Sequence, residues 1–396
     1  MAGISKLGSG VVGMAGRINA MPPPVAGRAL RLGGVRLPML SPGRLYVCGI
    51  TPYDVTHLGH AATFVWADVC ATAMKLTGVD VAVCRNITDV DDVLTAAAAT
   101  RGRNYDEFAL SQEFLFEQDM TALRVAKPTY EPRARNHVAH VIALANVLLQ
   151  HKKAYHREGF VYFRGAHVPE EFGVNREEAI PLFREFGNDP DAPLKDDPFD
   201  VAVWRPSDET NPAWPSPWGW GRPGWHAECT AMAHAYLGPG FDVLAGGADL
   251  VFPHHAYQIA IGEAATRIGH LARGRLAVGT VHVNGAKMAK STGNLVLVAD
   301  LLTQHRAAGI RLFLLDRPWA DPWDFRPEDL AAADARLDRL YAAAGKPNGN
   351  GTAGEAVITA LLEDLDVPTA LNIAEEAGGD AARFLLSTLR LDGVDL

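Results

Sequence analysis

Three side chains with an affinity for soft metal ions stand at the ends of apolar runs. Cys48 nearly closes the run Arg44-Leu45-Tyr46-Val47-Cys48-Gly49-Ile50, Cys229 ends Trp225-His226-Ala227-Glu228-Cys229, and His254 lies in Phe252-Pro253-His254-His255. Two thiolates and one imidazole suit Zn²⁺, and three protein donors leave a position for substrate. A substrate thiol could take that position, because zinc lowers a thiol's pKa and binds the thiolate directly. Such a site would separate cysteine from serine, since an uncoordinated hydroxyl gains nothing comparable. Cysteines are also common apolar filler, the role expected of Cys70 and Cys84 inside their apolar runs. Spacing alone leaves both readings of Cys48 and Cys229 standing.

A second group of residues suits a nucleotide. Thr56-His57-Leu58-Gly59-His60 stands where a strand hands over to a helix, and free N–H groups at a helix start welcome an anion. His57 and His60 can add N–H donors for phosphate oxygens. Far downstream, Lys287-Met288-Ala289-Lys290-Ser291 lies in a glycine-punctuated loop. There Lys287 and Lys290 could close over a triphosphate and stabilise departing pyrophosphate. Singly, the histidines could be helix caps and the lysines a solvated loop. Together they bracket one sheet domain, which is far more specific.

The elements that must position these groups read as α/β. Arg44 to Ile50 is a buried strand and Leu58 to Leu76 an apolar-periodic helix closed by Gly78. Val79 to Ile87 is the next strand, and Asp89 to Arg101 a helix with an acidic first turn. Asp89, Asp91 and Asp92 read as a helix cap in preference to a metal site. This alternation predicts a Rossmann-like, doubly wound parallel sheet. Residues 105–150 read as helical and 155–222, dense in Pro, Trp, Gly and Asp, as irregular. The alternation resumes with a helix over Ala227 to Tyr236, a strand around Asp242 to Ala245 and a helix after Pro253. A last sheet strand ends near Val283. The expected domains are a poorly ordered extension over 1–24, a nucleotide-binding catalytic domain over 25–297 interrupted by an insertion at 105–222, and a helical domain over 298–396.

Bulk properties narrow the class. A chain of 396 residues can hold two or three domains. A net charge of −9 argues against a large basic nucleic-acid surface. The four cysteines include no CxxC pair, so a disulfide framework is not expected and a cytoplasmic setting is. No apolar run is long enough to span a membrane.

Several segments together resemble one family. They are Tyr46-Val47-Cys48-Gly49-Ile50-Thr51-Pro52-Tyr53-Asp54, His57-Leu58-Gly59-His60, Asn86-Ile87-Thr88-Asp89, Gly224-Trp225-His226, Gly246-Gly247-Ala248-Asp249 and the Lys287–Ser291 loop. They are similar to the cysteinyl-tRNA synthetase superfamily, of class I aminoacyl-tRNA synthetase type. Gly59-His60-Ala61-Ala62-Thr63, Trp214 to Trp218 and Asn294 to Val298 lean toward its mycothiol-pathway cysteine ligases. The resemblance implies a class I core with a C-terminal helical bundle. It implies Cys48, Cys229 and His254 as zinc ligands. Cys48, Gly49, Ile50, Thr51, Thr63, Asn86, Ile87 and Thr88, with Trp225, Gly247, Ala248, Asp249 and Val281, would line the ATP and cysteinyl-adenylate pocket. His57, His60, Lys287 and Lys290 would handle the phosphates, and Asp249 the ribose hydroxyls.

The expected reaction is ATP-dependent activation of L-cysteine, with Mg²⁺ accompanying ATP, and transfer to the amine of glucosaminyl-inositol. Three departures from the family pattern surround the pocket. Ala289 replaces the usual serine of the lysine loop, and Gln258 stands where cysteinyl-tRNA synthetases carry an acidic fourth ligand. Glu185 to Pro190 only partly matches the mycothiol ligases. A cysteine ligase with another amine acceptor is therefore one alternative. A second is tRNA charging, which ranks behind because from residue 340 onward the basic residues are Lys346, Arg383 and Arg390, a poor supply of phosphate contacts.

Overall fold

The computed structural model describes residues 27–53, 55–208, 211–289, 292–348 and 352–392. The expectations for residues 1–24, Lys290 and Ser291 therefore lie outside the described residues. The chain enters through an antiparallel pair, β1 (Leu30–Leu32) and β2 (Val35–Leu37). It then runs through β3 (Gly43–Ile50), α1 (Leu58–Leu76) and β4 (Val81–Ile87). Helices α2 (Asp92–Thr100), α3 (Tyr105–Ala122) and α4 (Val138–Gln150) follow. Asp91 caps α2 by accepting from the Val93 N–H at 2.7 Å, the role expected of that acidic cluster.

The stretch expected to be irregular is in fact a second sheet. Strands β5 (Ala154–Arg157), β6 (Phe160–Phe163), β7 (Val201–Pro206) and β8 (Gly221–Pro223) pair antiparallel in sequence order. Helices α5 (Val168–Glu171) and α6 (Arg176–Glu185) lie between β6 and β7. These strands are short and separated by Gly- and Pro-rich turns, so no window carries a readable period.

Helix α7 (Trp225–Leu237), β9 (Phe241–Gly247), α8 (Ala256–Thr266) and β10 (Ala272–Val278) complete the main sheet. Its order is β10-β9-β3-β4, parallel throughout. From β3 the chain winds first toward β4 and later toward β9 and β10. The switch point thus falls between the C-terminal ends of β3 and β9, where open α/β sheets bind ligands.

The expected strand ending at Val283 is divided. At Gly279 the chain leaves the main sheet, and a Cβ there would lie 2.1 Å from the Asp321 carbonyl oxygen. Strand β11 (Val281–Val283) then joins β12 (Ala286–Lys287) and β13 (Trp323–Asp324) in a small sheet. Helices α9 (Val298–Leu302), α10 (Ala307–Leu315), α11 (Pro327–Ala344), α12 (Thr352–Leu362), α13 (Val367–Ala377) and α14 (Gly379–Thr388) form the C-terminal portion.

The pleat of β3 sorts the molecule. Leu45 and Val47 face α1 and the C-terminal helices, while Tyr46 and Cys48 face α7 and α8. Both faces are apolar, as a parallel sheet requires. Buried Arg311 of α10 ties the first face together. Its guanidinium pairs with Asp68 of α1 and donates to the Leu123 carbonyl at 2.9 Å and the Leu389 carbonyl at 2.7 Å. Among the described residues, no helix is long and apolar enough to cross a membrane.

Candidate active site

Because Cys48 points to the α7 side, it meets two residues from later in the chain. The donor atoms of Cys48, Cys229 and His254 all lie within 4.8 Å of one another. Their residues are 5%, 1% and 1% exposed, so water contributes little to this cluster. Burial pushes the Cys48 thiol up, with neighbouring Cys229 adding to the effect. Burial likewise holds His254 well below the usual histidine range, with His226 and His255 reinforcing it.

Neighbours brace these donors. His226 Nδ1 and His254 Nδ1 are 2.9 Å apart. Burial lowers His226 to about 3, with Lys195 adding to it. Two neutral rings at that distance make one donor and one acceptor; the tautomer in which His254 Nδ1–H donates to His226 Nδ1 is the one that leaves the His254 Nε2 lone pair for a cation. Trp225, one helical turn before Cys229, stacks on His254 with centroids 3.9 Å apart and planes at 15°. The Cys48 thiol donates to Gln258 Oε1 across 3.6 Å, while Gln258 Nε2 is buried without a partner. A half-turn of that amide would point N–H at the sulfur, the arrangement a thiolate requires. Two soft sulfurs and one braced imidazole, taken out of water, fit Zn²⁺.

Beside this cluster β3 is irregular, its register shifting between Val47 and Ile50. Asn86 Oδ1 accepts from the Gly49 N–H at 3.0 Å, and Asn86 Nδ2 donates to Thr88 Oγ1 at 2.9 Å. A Cβ on Gly49 would stand 1.6 Å from the Asn86 carbonyl oxygen, so only glycine fits this close approach.

The residues expected to meet a nucleotide begin at the N-terminus of α1. His57 is its cap: Nδ1 accepts from the Gly59 N–H at 3.1 Å. Burial lowers His57 to about 3, with His60 and Lys287 adding to the effect. The neutral ring therefore carries its proton on Nε2, a donor available to an anion. His60 stacks on it, with centroids 3.8 Å apart. Lys287 Nζ pairs with Asp249 Oδ2 at 2.9 Å. Asn294 organises the lysine loop, accepting from the Ala289 N–H at 3.0 Å and donating to the Lys287 carbonyl at 3.1 Å. The loop's exit is fixed to α1, since the Leu58 N–H donates to the Val296 carbonyl at 2.9 Å.

One cavity of about 770 Å³ joins the two ends. Among the described residues, each site residue expected from the sequence lines it, except Ile87 and Ala248. Ile87 is buried within β4. Sequence reasoning missed a third wall, which includes Phe160, Tyr162, Asn188, Lys195 and Arg205. The only signal was the partial match over Glu185 to Pro190, because the strands that carry the rest were unreadable.

Comparison with known proteins bears on this geometry. Residues 41–335 match the family described as tRNA synthetases class I (C) catalytic domain. A protein of Thermobispora bispora named L-cysteine:1D-myo-inositol 2-amino-2-deoxy-alpha-D-glucopyranoside ligase is 43% identical, over 86% of this chain and 86% of its own length. A protein of Rhodospirillum rubrum named cysteine–tRNA ligase is 41% identical, over 84% of this chain and 73% of its own length. Among solved structures, Mycobacterium tuberculosis methionyl-tRNA synthetase with methionyl-adenylate superposes with a TM-score of 0.61. The match covers 89% of each chain at 17% identity, a likeness of fold.

Proposed function

Because the chain belongs to the cysteinyl-tRNA synthetase superfamily of class I ATP-dependent ligases, we propose that it joins L-cysteine to the amine of glucosaminyl-inositol, the amide-forming step of mycothiol biosynthesis. The observation that carries this reading is the meeting of Cys48, Cys229 and His254 beside the cavity that His57, Asp249 and Lys287 also line. A thiol-reading cluster and a phosphate-handling cluster share one space.

Zn²⁺ held by Cys48, Cys229 and His254 supplies a preference for substrate sulfur over a hydroxyl oxygen. Trp225 walls the cysteine and keeps His254 from turning. Asp249 accepts from the ribose hydroxyls once Lys287 moves to phosphate. With both ends held, a cysteine carboxylate oxygen faces the α-phosphorus of Mg²⁺-bound ATP for in-line attack. The Nε2–H of neutral His57 hydrogen-bonds phosphate oxygen, and Lys287 stabilises the charge growing on pyrophosphate. Lys290 would add a second cation from the same loop. In the second step the neutral acceptor nitrogen bonds to the acyl carbon, the carbon–oxygen bond to phosphate breaks to release AMP, and the surplus proton on nitrogen passes to the departing phosphate or to solvent.

Two alternatives concern only the acceptor. The departures at Gln258, Ala289 and Glu185–Pro190 favour a different amine in a specialised pathway. The Rhodospirillum rubrum relative favours tRNA. Against tRNA, Arg383 is engaged with Asp380 at 2.7 Å and Arg390 donates to the Arg124 carbonyl at 3.1 Å.

Pyrophosphate exchange into ATP with each amino acid tests the first step. Cysteine alone should support it, and an equal response to serine would remove the role given to the Cys/His cluster. AMP release with glucosaminyl-inositol, set beside release with tRNA, then identifies the acceptor.

A further inference from the structure

Tyr46 is fully buried on the face of β3 that it shares with Cys48, and its hydroxyl has no hydrogen-bond partner. The pleat sends both side chains toward α7, the helix that carries Cys229. The ring leans on Phe241, with centroids 5.8 Å apart. The groups around the hydroxyl are sulfurs: Cys229 first, then Cys48, and Cys84 at the register-paired position of β4. A buried O–H left unpaired is costly. A neutral thiol is a weak acceptor and satisfies it poorly, whereas an ionised acceptor binds a donor strongly. Gln258 repeats the pattern at the other ligand sulfur. Its Nε2 is also buried without a partner, while its Oε1 lies 3.6 Å from Cys48 Sγ.

We infer that Tyr46 is a positioning residue, donating its hydroxyl hydrogen to the Cys229 sulfur once that sulfur is a metal-bound thiolate. A phenol keeps its proton at neutral pH, so the donor is always present and only the acceptor changes. With the Gln258 amide turned to Cys48, each protein thiolate then accepts one hydrogen bond. Each bond draws charge off its sulfur, so less reaches the metal. A metal under less negative charge holds an incoming substrate thiolate more tightly. The two donors thus set how strongly the site takes cysteine without touching the cysteine themselves.

This inference rests on the metal reading of Cys48, Cys229 and His254, and the experiment tells the two apart. Tyr46→Phe removes one oxygen and keeps the ring. The unaltered protein and the variant are prepared with Co²⁺ in place of Zn²⁺ and compared by absorption. A thiolate-to-cobalt charge-transfer band should form in both and lie at longer wavelength in the variant, because a sulfur relieved of its hydrogen bond gives up charge more readily. Urea midpoints supply a second signature. Without metal the variant should match or exceed the unaltered protein, since it buries no unpaired hydroxyl. With Zn²⁺ it should gain less, in line with a loss of about tenfold in metal affinity. In pyrophosphate exchange at saturating Zn²⁺, the KM for cysteine should rise while turnover holds. A cobalt band that does not move, or a midpoint lowered equally with and without Zn²⁺, overturns the role of Tyr46 and leaves the metal reading intact. No cobalt band in the unaltered protein overturns both.

Discussion

The two ends of the cavity are built to different standards of access. At the sulfur end, Cys229 and His254 are each 1% exposed and Gln258 is fully buried. At the phosphate end, the side chains of Lys287 and Asp249 are 39% and 35% exposed and hold each other across 2.9 Å. Telling sulfur from oxygen needs donors fixed and dry before the substrate arrives. Releasing pyrophosphate needs groups that can exchange one partner for another.

That contrast can be broken by substitution. Cys229→Ser should release the metal and abolish cysteine-dependent exchange, a loss above the roughly 10–100-fold typical of an outer partner. Metal stoichiometry and exchange are the measurements, and retained metal with full activity would break the sulfur end as described. Lys287→Ala should lower the exchange rate about 100- to 1000-fold while metal content stays intact. A concurrent loss of metal would mean that the two ends are not separable. Gln258→Leu should weaken zinc retention against a chelator about tenfold, leaving the kinetics of the lysine loop unaffected.

The smallest effect concerns pH. Burial lowers His57 from the ordinary histidine value of 6.5 to about 3 in the folded protein, so between those values the unfolded chain binds the proton and the native state does not. Stability is therefore retained above pH 6.5 and falls progressively as pH drops toward 3. Urea midpoints at neutral and acid pH should show this slope. His57→Asn, which keeps a helix-capping oxygen, should make it shallower by one proton's share, with buried His226 and His255 keeping the rest. Over neutral pH the exchange rate should show no inflection from His57.

Legibility followed the length of the elements. Long periodic segments such as α1, and buried runs such as β3, announced themselves. Cys48, Cys229 and His254 were visible as donor types at element ends, but their convergence depends on the pleat of β3, which turns Cys48 toward α7. No local pattern records that. The antiparallel sheet was missed because its strands are brief and broken by Gly and Pro, and the third wall was missed with it. The bracing of His254 by His226 and the Lys287–Asp249 pair are long-range contacts, invisible to spacing.

Arg311 gives the C-terminal helices a part in chemistry they never touch. One cation grips the helix that begins at His57, the end of α3 and the carbonyl just beyond α14. The tail is thus an anchor for the helix whose first turn carries the histidines proposed to meet the nucleotide.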